Sequence, residues 1–221
     1  MAGSVASRKL TLPAALTGGL VGFAIYQGAG FTGIALLAGF FLLGTLATSW
    51  KMDLKEKERV SERDRGRRRP GQVLANGGVA AILGLIIWSY PHTAALLRLM
   101  MAGSLSAAAA DTLSSELGTV YGRRFYNIRT FRRDKKGLDG VISLEGTLCG
   151  IGGSVVIAII YSIGFGWNFG FLVVVLAGTI GNLVDSFLGA TLERKGFIKN
   201  DTVNFLNTLA GAMAAMAVGG F

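Results

Sequence analysis

Four carboxylates stand at or near the ends of long uncharged stretches of this chain: Asp111, Glu116, Glu145 and Asp185. A fifth, Asp139, lies just ahead of one of them. Hydroxyls and amides gather around them, among them Asn76, Ser115, Asn204 and Asn207, whereas the chain holds a single histidine, His92, and a single cysteine, Cys149. Oxygen donors without imidazole or thiolate partners suit a hard cation such as Mg2+, which one or two carboxylates hold together with substrate phosphates. Asp111, Glu116 and Asp185 are the candidate Mg2+ ligands. Asp139 is a candidate for a second metal or for orienting a phosphate oxygen.

Between two acidic segments runs RRFYNIRTFRRDKK (123–136), with seven bases against one acid. Arg123, Arg124, Arg132, Arg133, Lys135 and Lys136 are its candidates for nucleotide phosphates, although the loop also reads as a solvated or headgroup-bound segment. A metal to bridge phosphate oxygens and cations to neutralise developing charge form the inventory of phosphoryl transfer. No GxxxxGK[ST] loop occurs, so a nucleotide would be held by another route. The lone cysteine excludes an internal disulfide and a cysteine-built zinc site, and the lone histidine excludes a two-histidine relay.

Composition says what must position these groups. Of 221 residues, 51% are hydrophobic and 16% charged, with mean hydropathy +0.51, against about 25% charged in a soluble chain. Residues 10–50, 146–184 and 202–221 carry no Asp, Glu, Lys or Arg at all. About 20 apolar residues cross a bilayer as a helix, so the first two stretches each suit a helical hairpin. Apolar length and punctuation predict seven spans, at 10–27, 31–50, 72–90, 94–113, 141–163, 168–191 and 202–220. Glycine-rich runs without two-residue alternation mean helices rather than a barrel. The expectation is an all-α integral membrane protein, a single polytopic domain over 1–221. Arg8 and Lys9 ahead of the first run look like a signal-peptide start, but the run continues into a second span without a clear cleavage site and reads as a retained helix.

Of 22 basic residues, 21 fall in four segments that alternate with the spans, and the exception is Arg98. The positive-inside rule then predicts a cytosolic N-terminus and an outer C-terminus. The net charge of +9 is thereby a topology signal, not a sign of nucleic-acid binding. Segment 51–69 mixes nine bases with five acids, as a short surface helix on anionic headgroups would. Arg98, near the outer end of its span, is expected to snorkel.

On that topology the polar groups of five helix ends form one layer on the cytosolic side. Asp111, Ser115 and Gly118 share a helix face, as do Gly178, Gly181, Asp185 and Gly189. Asp201, Asn204 and Asn207 line a third, with Asp201 open to reading as a simple N-cap. Gln72 and Asn76 share a fourth face, open to reading as an interhelical hydrogen-bonding pair. The competing class is an ion- or proton-coupled transporter, for intramembrane acids often mark ion paths. A transporter holds its polar groups near the midplane, whereas Val155–Ile160 and Phe171–Leu176 are apolar. The pattern favours a one-sided enzyme with lipid access from the bilayer.

The blocks Gln72-Val-Leu-Ala-Asn76-Gly, Asp111-Thr-Leu-Ser-Ser115-Glu116-Leu-Gly118, Asp139-Gly140-Val-Ile-Ser143-Leu-Glu145-Gly146, Asp185-Ser186-Phe-Leu-Gly189-Ala190-Thr191 and Asn200-Asp201-Thr-Val-Asn204 resemble the DUF92 family of integral membrane proteins. That family includes the animal transmembrane protein 19 group and plant phytyl-phosphate kinases. The resemblance implies Mg2+-dependent transfer of a phosphoryl group from a nucleoside triphosphate, CTP first, to an isoprenoid monophosphate such as phytyl or polyprenyl phosphate. It also implies distant kinship with dolichol kinase and phosphatidate cytidylyltransferase. Glu145 departs from the pattern, which has a neutral residue there.

Overall fold

The computed structural model describes residues 11–52 and 69–220. Most of segment 51–69, expected as a surface helix, lies outside the described residues. In chain order the elements are α1 (Leu12–Ser49), α2 (Pro70–Ser89), a 3-10 turn (Pro91–Thr93), α3 (Ala94–Tyr121), β1 (Tyr126–Asn127), β2 (Val141–Ile142), α4 (Leu144–Phe165), α5 (Gly170–Leu188) and α6 (Asn200–Gly219). The end of α5 widens into a π-helical turn, Gly189–Glu193. Among the described residues, six helical runs are long and apolar enough to cross a membrane.

The first run is two crossings. Its 38 residues would stretch about 57 Å at 1.5 Å per residue, nearly twice a hydrocarbon core of about 30 Å. Gly30 breaks it, with φ 56° and ψ −146°, in a region that only glycine enters without strain. The two limbs fold back on each other. A Cβ on Gly22 would stand 3.7 Å from Leu37 Cδ2, whereas fifteen residues of straight helix would separate them by about 22 Å. Spans 10–27 and 31–50 are therefore both present, joined by a single-residue turn.

The starts of the helices follow local chemistry. Thr11 Oγ1 accepts the Ala14 amide at 3.3 Å, ahead of Pro13. Pro70 opens α2 while Gln72 Oε1 accepts the Arg69 amide at 3.0 Å. Ser143 Oγ accepts the Gly146 amide at 3.1 Å. Each satisfies a donor that the helix leaves orphaned. The cap position of α6 is Lys199, and Asp201 lies in the first turn. That corrects the N-cap reading of Asp201, whose charge there complements the helix dipole.

Helix α3 is the axis of the bundle and packs on every other long helix. Every residue from 99 to 110 is buried. Small side chains make that possible: a Cβ on Gly103 would lie 2.7 Å from the Gly211 carbonyl, and one on Gly211 would lie 2.6 Å from Ala107 Cβ. Backbones that approach this closely replace the hydrophobic drive that lipid does not supply. The expected end of this span at 113 is corrected, since α3 runs on to Tyr121.

Contacts at each end show the alternation of the crossings. At one end Arg98 Nε donates to the Gly28 carbonyl at 3.0 Å and lies 5.3 Å from the centre of the Phe165 ring. Arg98 thus ties the hairpin turn to α3, a different task from the snorkelling expected of it. At the other end Trp50 Nε1 donates to Tyr121 Oη at 2.8 Å, and Gly118 meets Gly146. The five helix ends that carry the polar layer gather at this second end.

Candidate active site

Asp111 of α3 and Asp185 of α5 project into the same space, and their carboxyl groups are hydrogen-bonding neighbours. Asn207 of α6 donates Nδ2 to Asp185 Oδ2 at 3.4 Å. Asn207 is fully buried, and its Oδ1 has no hydrogen-bond partner. That oxygen faces Gly181, where a Cβ would come within 2.8 Å of it, so the glycine makes the room. Glu116 lies close enough to Asp111, and Glu193 to Asp185, to act on them electrostatically.

Two adjacent carboxyl groups cannot both stay charged without a proton or a cation between them. The two carboxyl groups fit Mg2+ completed by substrate phosphates, and Asn207, which turns its amide nitrogen to Asp185 and its oxygen to Gly181, would add an oxygen donor once its amide is turned over. They do not form a closed protein cage. No group of three His, Cys, Asp or Glu side chains able to hold a metal occurs among the described residues. Of the three candidate ligands, Asp111 and Asp185 meet, while Glu116 stands off as a nearby charge.

The depth of the pair follows from helix lengths. Asp185 is fifteen residues beyond the start of α5 at Gly170, or about 22 Å along the axis. Helix α3 continues ten residues past Asp111, about another 15 Å. Asp185 lies three residues before the end of α5, ahead of the π turn, while α3 projects past the pair, so the pair sits at the bundle end that the sequence suggests, beside that projecting helix. The middle of the bundle is not wholly apolar, because Ser104, Ser106 and Ser154 are buried there. Ser106 Oγ donates to the Val174 carbonyl at 3.0 Å, and the Ser106 and Ser154 hydroxyls flank Gly178. These groups are neutral.

The basic loop is folded, not slack. Strand β1 pairs antiparallel with β2, Tyr126 opposite Ile142 and Asn127 opposite Val141. Asn127 Oδ1 accepts the amides of Arg129 (3.0 Å) and Thr130 (3.2 Å), an Asx turn that leads into Phe131 at φ 52°. Gly140, at φ +73°, packs so tightly on Ala190 that no side chain would fit. Beyond the π turn, Arg194 donates Nη1 to Asp134 Oδ2 at 2.7 Å. It also donates Nε (3.1 Å) and Nη2 (2.7 Å) to the Asp139 carbonyl. The Arg194 guanidinium, then the Lys135 amide, hold the Asp134 carboxyl below its ordinary 3.8. Asp139 is thus held by its backbone, 139 being latched to the end of α5.

Arg123, Arg124, Arg132, Arg133 and Lys135 are exposed, and Lys136 is half-buried with Nζ 5.9 Å from the Phe125 ring centre. Glu145 Oε2 accepts the Arg123 amide at 3.4 Å, so this departure from the pattern anchors the start of the loop. Two other candidates bond within their own helices. Ser115 is exposed and donates to the Thr112 carbonyl at 3.2 Å. Asn76 donates to the Gln72 carbonyl of its own helix at 2.9 Å, and the α2–α6 link is instead Thr208 Oγ1 to the Ala75 carbonyl at 3.2 Å. Asn204 is half-buried, one turn before Asn207.

Sequence reasoning missed Arg194, the π turn and Asn182. Asn182 is buried, with its amide nitrogen beside Gly150 next to Ser114. Its signal was present, three residues before Asp185 and four after Gly178. π turns inside helices cluster at functional sites, and this one starts four residues after Asp185.

Comparison with known proteins adds a family likeness. The model of the family described as "Integral membrane protein DUF92" matches residues 1–212. The chain is 36% identical over 209 residues to "Protein VTE6, chloroplastic" of Arabidopsis thaliana, covering 89% of this chain and 61% of that one. It is 35% identical over 217 residues to the "Uncharacterized membrane protein MJ0933" of Methanocaldococcus jannaschii, covering 96% and 87%. It is 31% identical over 202 residues to the "Uncharacterized membrane protein sll0875" of Synechocystis, covering 90% and 78%. The chain thus spans about three-fifths of the plant relative. No solved structure matches it.

Proposed function

The chain belongs to the DUF92 family of integral membrane proteins, and on that premise we propose that it is a membrane-embedded kinase of isoprenoid monophosphates. It transfers the γ-phosphoryl group of a nucleoside triphosphate, CTP first, to phytyl or polyprenyl phosphate and yields the diphosphate. The observation that carries this reading is the Asp111–Asp185 pair with the unpartnered Asn207 oxygen, set at the end of the bundle where the latched basic loop lies. The likeness to the plant phytyl-phosphate kinases supports the reaction class.

Asp111, Asp185 and, with its amide turned over, the Asn207 oxygen would hold Mg2+, which when bound polarises the phosphate oxygens and neutralises their charge. The loop bases Arg123, Arg124, Lys135 and Lys136 bind and orient the triphosphate, and Arg194 keeps their segment docked. An oxygen of the lipid monophosphate attacks the γ-phosphorus. The bond from that phosphorus to the β–γ bridging oxygen breaks, and the nucleoside diphosphate leaves with the bond electrons. A monophosphate oxygen is already a competent nucleophile, so Asp139 has no proton to remove and contributes through its latched backbone.

The test uses purified protein with Mg2+, γ-labelled CTP, ATP, GTP and UTP, and phytyl, geranylgeranyl and farnesyl monophosphates. Label should appear in an isoprenyl diphosphate and vanish in Asp111→Asn. No transfer with any pair, together with ion-dependent flux in proteoliposomes, would replace the kinase by a transporter.

A further inference from the structure

Strand β1 ends over the lipid side of α5. Ile128, whose amide donates to the Gly140 carbonyl at 3.1 Å, lines an open groove of about 330 Å³ with Ile180, Leu183, Val184 and Phe187. Those four α5 residues recur at i, i+3, i+4 and i+7 and so form one stripe, and the groove runs about 10 Å down the helix. The groove is shallow and open along its length, and every lining side chain is apolar.

This stripe faces away from the acid pair. Asp185, half-buried, lies on the opposite face with the buried Gly178 and Gly181, so a molecule in the groove has α5 between itself and the carboxylates. The tip above the groove has a different chemistry. Arg129, Arg132 and Arg133 are exposed there, and none has a carboxylate partner among the described residues. Between them Phe131 is 76% exposed, held at positive φ by the Asn127 turn. An apolar floor, an exposed aromatic ring and three arginines above it match one acyl chain, the interfacial zone and an anionic headgroup in turn.

We propose that the 128–133 hairpin tip and the outer face of α5 bind an anionic phospholipid of the surrounding bilayer, its chain in the groove and its headgroup under the arginines. The lipid holds the outer half of the basic loop at the membrane surface. Lys135, Lys136, Arg123 and Arg124 remain on the inner half, where the proposed nucleotide site is. The binding is independent of turnover and stands whether or not the chain is a kinase.

The experiment places the full chain in phosphatidylcholine nanodiscs doped with either phosphatidylglycerol or phosphatidylcholine carrying a photoreactive acyl chain, and maps the labelled peptides by mass spectrometry. Phosphatidylglycerol should label 128–131 and 180–187 severalfold more than phosphatidylcholine does, with no such preference on the lipid face of α2 around Ile82 and Leu85. Arg129→Glu should reduce the preference by about fivefold or more, the effect of one basic residue at an anionic surface. Ile180→Trp, which fills the groove, should remove the 180–187 label and leave the α2 label unchanged. Equal labelling by both lipids would overturn the proposal. Displacement of phosphatidylglycerol by micromolar farnesyl monophosphate would overturn it too, by giving the groove to the kinase substrate.

Discussion

Replacing Arg194 by Ala isolates one contact on which the loop depends. The guanidinium donates twice to the Asp139 carbonyl and once to Asp134, and its side chain is 31% exposed. A hydrogen bond to a charged group contributes about 1.5–3 kcal/mol net. Exposure selects the lower end, so the Asp139 contact alone contributes about 1.5–2 kcal/mol, or a 10- to 30-fold shift toward the undocked loop. The assay is hydrogen exchange of the amides that only the docked loop protects: Ile128 (to the Gly140 carbonyl), Asn127 (to Arg132) and Asp134 (to Phe125). In Arg194→Ala these should exchange about 10- to 30-fold faster, while α3 and α4 amides stay unchanged, and Arg194→Lys should recover only part of the protection because an ammonium lacks the planar fork. Acid is a second handle. Asp134 is held below its ordinary 3.8 by Arg194, so its share of the docking is fully present above that value and is lost only as pH falls through the lower, docked one. After correction for intrinsic exchange, protection at pH 5 should equal that at pH 7. Unchanged exchange in Arg194→Ala would refute the latch.

Asp111→Asn and Asp185→Asn should each reduce labelled phosphoryl transfer by about a hundredfold or more, beyond the 10- to 100-fold usual for a supporting partner, with melting temperatures in detergent unchanged; wild-type rates in both would remove the ligand assignment. Asn207→Ala should weaken the apparent Mg2+ affinity by about 10- to 100-fold, read from the metal dependence of the rate, and a change in kcat alone would deny its oxygen that role. Lys135→Ala with Lys136→Ala should raise the nucleotide KM more than it lowers kcat. Gly84→Ala should destabilise the protein by about 1–3 kcal/mol, because its Cβ would collide with the Ala24 backbone; an unchanged melting curve would show that the hairpin shifts freely on α2.

The spans were legible because hydropathy acts residue by residue along the chain, and even the break at Gly30 is marked by Gly28-Ala-Gly30. Asp111, Asp185 and Asn207 were legible as well, since helical spacing and alternating topology bring their faces to one end. What stayed hidden depends on partners distant in sequence. Nothing in Arg194 itself tells that it reaches back 55 residues to Asp139 and 60 to Asp134. Asn76 carries the same side chain as Asn207, yet one bonds its own helix and the other faces Asp185, a difference set by the neighbouring helix. The length of α3 was underestimated because Glu116 ended the apolar run while the helix carried on through it. The small sheet in the basic loop rests on two residues per strand and the turn at Asn127, too short for any alternation to register.

The single-residue turn at Gly30 bears on biogenesis. Residues 26–32, Tyr-Gln-Gly-Ala-Gly-Phe-Thr, contain no charge, so no ionised group has to be carried across the hydrocarbon, where each would cost about 2.5–3.5 kcal/mol at its centre. The two limbs can enter the bilayer together as a closed hairpin, with their uncharged turn leading. A hairpin closed in this way offers α2 a ready-made surface, the backbone at Ala24 and Gly28 that Gly84 meets.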